Sequence, residues 1–176
     1  MHEQFEQMLE QIKQARLASV PRYQLHSEMH NLAEARYEPA LAYFLTFLMD
    51  EDWDWRLEGV QLVGFHYDFA PNSHIAAQLR HLLLTDPSDF VRSAAAFALG
   101  GRSAWPDLTL FHALQTEPDI GIAHDIFAAI LQVAGVPFPK MRKEVEEIVK
   151  NNIRPDLATV EKILGESTID LNVPKG

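Results

Sequence analysis

The sequence contains no cysteine. This absence excludes a disulfide framework, a thiolate metal site and a cysteine nucleophile. No stretch approaches the roughly 18 continuous apolar residues that indicate a membrane span. The acidic start at residues 1–6 does not resemble a secretory signal. We therefore expect a cytoplasmic protein that does not interact with membranes.

Positive charge is also scarce. Lys and Arg number 15 against 25 Asp and Glu, which gives a formal net charge of -10. Binding to a nucleic-acid backbone requires a basic stripe. The densest basic stretch, residues 140–150, is interleaved with glutamates. Nucleic acid is therefore not an expected partner.

Motifs for catalysis and cofactor binding are missing as well. The glycines stand singly or as one pair, so the sequence has neither a phosphate-binding loop nor a dinucleotide-binding fingerprint. A serine-hydrolase pattern is absent too. We predict no catalytic residue and no cofactor.

What the sequence does contain is apolar residues at helical spacing along most of its length. Proline, glycine and acidic residues separate these segments. We predict one domain over residues 1–165 and a loose C-terminal tail over 166–176. The predicted helices cover residues 3–18, 22–36, 39–49, 55–66, 74–85, 90–100, 106–116, 121–134, 139–151 and 157–164.

Two of these helices share a recurring segment. Residues 56–64 line up with residues 92–100, 36 positions later, and each copy follows an acidic turn. A third unit aligns with the second at a shift of 31. A repeat of this length is typical of stacked helix pairs, because one pair cannot bury its apolar face alone. We predict an all-α superhelix of about four antiparallel helix pairs with an N-terminal helical cap, clearest over residues 39–134.

The second copy carries a family resemblance. Its sequence from Asp86, Asp-Pro-Ser-Asp-Phe-Val-Arg-Ser-Ala-Ala-Ala-Phe-Ala-Leu-Gly, resembles a HEAT repeat, and more narrowly the bacterial HEAT-like repeats also found in phycobilin lyase subunits. The resemblance implies an armadillo-like solenoid. In this family an Asp in the turn and an Arg six positions later form a ladder between neighbouring repeats. That implies structural roles for Asp50 with Arg56, and for Asp86 with Arg92.

The third repeat departs from this pattern. Glu117 stands at the acidic position, but Ala123 replaces the arginine. We therefore expect the ladder to end there. The resemblance indicates a fold and not a reaction, because one fold hosts many functions.

Two short patterns resemble metal sites. His26 and His30 lie four residues apart on a predicted helix, but the sequence offers no evident third ligand. The acidic turn at residues 50–54 resembles the start of a calcium loop, but Trp55 replaces the required glycine and Gln61 the bidentate glutamate. We predict no metal site.

The concave face of the predicted superhelix is the expected binding surface. Phe97 occupies a position that is normally polar in HEAT-like repeats, and Phe90 lies at the start of the same helix. Aromatic side chains flanked by polar ones are favoured at protein interfaces. The alternative is that both phenylalanines fold into the core or that the C-terminal repeat covers them. The predicted partner-binding residues are Trp53, Trp55, Leu57, Gln61, Phe90, Ser93, Phe97 and His124.

The leading functional hypothesis is a non-enzymatic scaffold that binds a protein partner on this face, as a monomer or a homodimer. A second hypothesis, implied by the repeat subtype, is a bilin lyase-like or chromophore-handling protein in which Trp53 and Trp55 stack on the pigment. A third is an acidic inhibitor or immunity-type protein that blocks a basic partner electrostatically.

Overall fold

The computed structural model describes residues 2–165, and these residues contain helices and no strand. The predicted tail at 166–176 lies outside the described residues. The chain forms two compact units, residues 1–68 and 69–176. The first unit contains α1 (His2–Leu17), α2 (Arg22–Glu34), α3 (Glu38–Leu45), a 3₁₀ segment (Thr46–Met49) and α4 (Trp53–His66). The second contains α5 (His74–Thr85), α6 (Asp89–Gly100), α7 (Leu108–Thr116), α8 (Ile120–Val133), α9 (Phe138–Lys150) and α10 (Leu157–Leu164).

Short polar side chains fix the starts of several helices. Ser73 Oγ accepts a hydrogen bond from the backbone N–H of Ala76 at the start of α5, at 3.2 Å. Asp119 caps α8 in the same way. Such caps satisfy backbone donors that have no partner within the helix. Asp107 caps α7, and this helix therefore begins at residue 108 and not at the predicted 106.

The predicted helix 39–49 divides into an α-helix and the 3₁₀ segment. The Thr46 hydroxyl donates to the backbone carbonyl of Tyr43 at 2.7 Å, which competes with the helical ladder at the point of division. The following residues Phe47 and Leu48 are fully buried. The tighter turn brings this segment against α4.

The core of the first unit lies between α2, α4 and the segment from α3 to Met49. α1 packs on α2, and α2 packs on α4. Gly59 allows the close approach of α4 to the 3₁₀ segment, because a Cβ at this position would lie 2.8 Å from the Cβ of Phe47. The largest fully buried side chains of this unit are Ile12, Met29, Leu32, Phe44, Phe47, Leu48 and Leu62.

The second unit consists of helices that pack on their neighbours along the chain and on the helix after that. α5 packs on α6 and α7 packs on α8, while α6 also packs on α8 and α5 on α7. α9 packs against α8, and α10 contacts both α7 and α8. Alanines cover much of the buried face of α6, which brings its backbone close to α8.

None of the helices in residues 2–165 combines the length and the apolar content needed to cross a lipid bilayer.

Candidate functional site

Three of the predicted partner-binding residues share one face of α6 in the second unit, and we call Phe90, Ser93 and Phe97 the α6 surface. Phe90 is 61% exposed and Phe97 is 39% exposed. Residues three, four and seven positions apart lie on the same side of a helix. Both phenylalanines are therefore on the protein surface and not in the core of this unit.

Ser93 joins the α6 surface to α8. Its hydroxyl donates a hydrogen bond to Oδ2 of Asp125 at 2.6 Å. Burial raises the pKa of Asp125 above its usual value, and this hydrogen bond only partly offsets the effect. A carboxylate of α8 therefore contacts the α6 surface at Ser93, in a setting that disfavours its charge.

His124 occupies a different environment from the exposed groove position expected for it. The residue is only 8% exposed. Its Nε2 atom lies 2.9 Å from the backbone oxygen of Ile153, in the segment that follows α9. This segment covers the imidazole, which is consequently unavailable at the surface.

The predicted partner-binding residues of the first unit lie on two different sides of α4. Trp53, Leu57 and Gln61 are four residues apart and share one side of the helix. Trp53 is 43% exposed, whereas Leu57 and Gln61 are partly buried. Trp55 packs inward, with its ring 5.0 Å from that of Phe47.

In the second unit, Arg92 joins two inter-helix turns. Nε and Nη2 of Arg92 donate to the two carboxylate oxygens of Glu117, both at 2.8 Å. Nη1 of the same side chain donates to the backbone oxygen of Asp86 at 2.9 Å. The hydrogen bonds to Glu117 raise the pKa of Arg92 further. Arg92 thus joins its own inter-helix turn to the turn of the following pair.

The corresponding turn in the first unit is fixed by two arginines. Nη1 of Arg56 donates to the backbone oxygens of Asp50 and Glu51 at 2.8 and 2.9 Å. The carboxylate of Asp50 forms an ion pair with Arg16 of α1.

The side chain of Asp86, in the second unit, accepts a hydrogen bond from the backbone N–H of Ser88 at 2.9 Å.

A second polar site, which the sequence analysis missed, lies between α2 and α4 of the first unit. At its centre is Glu58, whose side chain is completely buried. Arg22 donates from Nη1 to Glu58 and from Nε to Asp54, the latter at 2.7 Å. Nδ1 of His26 lies 3.0 Å from Oε1 of Glu58, and Nε2 of His30 lies 3.2 Å from the same oxygen. We call Arg22, His26, His30 and Glu58 the Glu58 cluster.

The electrostatics of this cluster favour an ionised glutamate. Burial opposes the charge, but the neighbouring His30 and Arg22, and then His26, hold the pKa of Glu58 below its ordinary value. The ring of His66 lies edge-on to that of His30, with centroids 5.3 Å apart. Burial, followed by the charge of His30, lowers the pKa of His66.

Three side chains of this cluster offer ligand atoms for a metal ion. One atom each from His26, His30 and Glu58 lies within 4.8 Å of the others. The sequence showed the histidine pair but no third ligand, because Glu58 is 32 residues from His26 and reaches it only through the packing of α2 on α4. The separation of 32 residues between His26 and Glu58 is close to the repeat shifts of 31 and 36 residues. This similarity was the signal in the sequence that the two residues could lie on neighbouring helices.

Comparisons with protein-family models, with curated proteins and with solved structures find no match. Function is therefore inferred from the side chains of this chain.

Proposed function

We propose that this chain is a helical-repeat module that binds a protein partner through the α6 surface. The observation that carries the proposal is the exposure of Phe90 and Phe97, at 61% and 39%, on one side of α6. Two large aromatic side chains on one helix face are costly to leave in water, and contact with a partner removes that cost. Aromatic residues are also enriched among those that dominate binding energy at interfaces.

We further propose that the helix pairs stack as a HEAT-like superhelix. The support is one separation that recurs in the α2–α4 region and between α6 and α8, among long-range polar contacts between side chains that elsewhere span 25 to 36 residues. Partners 32 residues apart occur at Arg22 with Asp54, His26 with Glu58, Arg36 with Asp68, and Ser93 with Asp125. In a stacked array, equivalent positions of successive layers meet at a constant separation along the chain.

The charge of the chain indicates the chemistry of the partner. Asp89 and Asp119 are exposed at the first turn of α6 and at the N-cap of α8, respectively, and the whole chain carries a net charge of -10. A partner segment that presents apolar side chains together with Lys or Arg complements such a surface. Electrostatic attraction of this kind increases the association rate at low salt.

The test compares two variants of the tagged full-length chain as baits in lysate of its source organism, with quantitative mass spectrometry. The double variant Phe90→Ser and Phe97→Ser removes both aromatic anchors while leaving the buried face of α6 intact. We expect it to lose a specific partner that the wild type captures. Because each anchor is worth about 1–2 kcal/mol or more, the purified partner should bind at least about 30-fold more weakly to this variant.

Phe138→Ser provides the matched control, because Phe138 is 66% exposed but lies at the start of α9. This variant should retain the partner, and far-ultraviolet circular dichroism should show equal helical content in all three proteins. Equal capture by the wild type and the α6 double variant would refute the proposal, as would an equal loss with Phe138→Ser.

A further inference from the structure

We propose that His26, His30 and Glu58 form a binding site for a divalent transition metal ion, with zinc as the best-matched ion. The three residues come from two helices that pack together in the first unit. Two imidazole nitrogens and one carboxylate oxygen are the ligand set of many zinc sites that keep a fourth position open.

The positions of the ligand atoms are close to those that zinc requires. Bonds of about 2.0–2.2 Å in a tetrahedral site place ligand atoms about 3.2–3.6 Å apart. Oε1 of Glu58 lies 3.0 Å from Nδ1 of His26 and 3.2 Å from Nε2 of His30. These two contacts need to lengthen by only a few tenths of an ångström, and the two histidine nitrogens lie within 4.8 Å of each other. The helix packing has therefore already brought the ligands together.

The hydrogen-bond pattern around His30 also points to an additional ligand. Its buried Nε2 atom contacts Oε1 of Glu58 at 3.2 Å, but the orientation of this contact does not meet the geometry of a hydrogen bond. Buried polar atoms in folded proteins almost always have a partner. A cation between this nitrogen and the carboxylate would satisfy both atoms at once.

Arg22 is arranged to support such a site from outside. It contacts Oε2 of Glu58, while Oε1 is the oxygen that both histidines approach; Nδ1 of His26 also lies 3.2 Å from Oε2. The Nε atom of Arg22 is held by Asp54 at 2.7 Å. Hydrogen bonds to the distal oxygen of a ligating carboxylate fix its orientation. The formal charges of Arg22, Asp54 and Glu58 sum to minus one, so these three groups do not oppose a divalent cation with a net positive charge.

The site is reachable from solvent and selective for the class of metal. The His26 side chain is 47% exposed, which leaves a route for the ion and room for water or another ligand at the fourth position. Calcium and magnesium prefer six or more oxygen ligands, whereas imidazole nitrogens favour zinc, nickel and copper. The bound ion would connect α2 to α4.

Isothermal titration of the metal-free, untagged, full-length chain with Zn²⁺ tests the assignment. We expect one ion per chain and, because ligand binding stabilises the native state, a rise in melting temperature on the order of 5 °C at saturating zinc. His26→Ala and His30→Ala should each weaken binding by at least about 100-fold, more than the loss of an outer-shell partner. Glu58→Gln should weaken it by at least about ten-fold, which separates a three-ligand site from simple chelation by two histidines.

The double variant His74→Ala and His112→Ala removes two exposed histidines of the second unit and should bind zinc like the wild type. His26→Ala truncates a half-exposed side chain, so it keeps the test valid if His30→Ala or Glu58→Gln fails to fold. Absence of binding to the wild type, unchanged affinity in His26→Ala, or unchanged affinity in a folded Glu58→Gln variant would overturn the assignment. An equal loss in the control would do so as well, because it would place the ion elsewhere.

Discussion

Two arginine–glutamate pairs of the second unit differ mainly in their exposure to water. Arg92 and Glu117 have side chains that are 14% and 4% exposed, whereas Arg142 and Glu146 are 67% and 62% exposed. Solvent screens the second pair and allows each partner to be hydrated alone. Removing Arg92, by contrast, leaves the charge of Glu117 buried without its main counterion. The energetic weight of an ion pair therefore follows from burial and not from residue type.

We expect Arg92→Ala to lower the free energy of unfolding by about 2–3 kcal/mol. The substitution leaves the buried carboxylate of Glu117 without its main counterion and removes the contact between two inter-helix turns. Urea denaturation followed by circular dichroism measures the change. Arg142→Ala is the matched control and should leave the midpoint unchanged within error. Similar midpoints for the two variants would show that the Arg92–Glu117 ion pair does not contribute to stability.

At the scale of helices, close contact between α6 and α8 depends on one glycine. A Cβ at Gly100 would lie 2.9 Å from the Cα and 3.0 Å from the Cβ of Ala129 on α8. The adjacent Gly101 is different, since a Cβ there would make only ordinary contacts, the nearest at 3.7 Å. The two neighbouring glycines thus separate the effect of helix packing from the general effect of adding a methyl group.

Gly100→Ala should destabilise the chain by about 1–3 kcal/mol, because the clash with the backbone of α8 outweighs the better helix propensity of alanine. Gly101→Ala should be neutral within about 0.5 kcal/mol, since its backbone torsion is compatible with alanine. Thermal and urea unfolding of both variants provide the comparison. A Gly100→Ala variant as stable as Gly101→Ala would show that α6 and α8 can separate without cost.

Helix positions were predictable where local signals suffice. The bounds of α5 and α10 agree with the predicted 74–85 and 157–164, because Ser73 and Asp156 cap their first turns and breakers follow their last. The division of 39–49 was not predictable, since it depends on how the 3₁₀ segment packs against α4 at Gly59. Apolar periodicity reports which face is buried but not which helix covers it.

The candidate sites show the same limit at the scale of the whole molecule. Phe90 and Phe97 are exposed on α6, and their role in partner binding stays a prediction. Burial of His124 was not foreseeable, because the segment that covers it lies 29 residues away. In the sequence, nothing distinguishes Glu58 from other helix residues. Its contacts with an arginine and two histidines of α2 are visible only in the folded structure. Contacts between segments that are far apart in the sequence bring the residues of these candidate sites together. A single sequence does not show which segments make such contacts.

The response of the whole molecule to acid combines groups from both units. In the first unit, burial and then the charge of His30 lower the pKa of His66 from its ordinary 6.5. The pKa of Glu58 is lowered from 4.5 and that of Asp107 from 3.8, because burial is outweighed by His30 and then Arg22 at Glu58, and by Arg80 at Asp107. In all three cases the unfolded chain binds the proton more readily than the folded chain does. Each of these three groups therefore contributes a loss of stability as the pH decreases, whereas Asp125, whose pKa is raised, contributes in the opposite direction.

We expect two successive losses of stability in urea titrations performed in the presence of a chelator. The first begins below about pH 6.5, where the unfolded chain protonates His66 while the fold resists it. The second begins below about pH 4.5, as the contributions of Glu58 and Asp107 are lost. His66→Gln should flatten the first decline and leave the second, with His112→Gln as the control for removing an imidazole from an exposed position. A His66→Gln profile that overlays the wild type between pH 5 and 7 would show that burial of this histidine is not linked to folding.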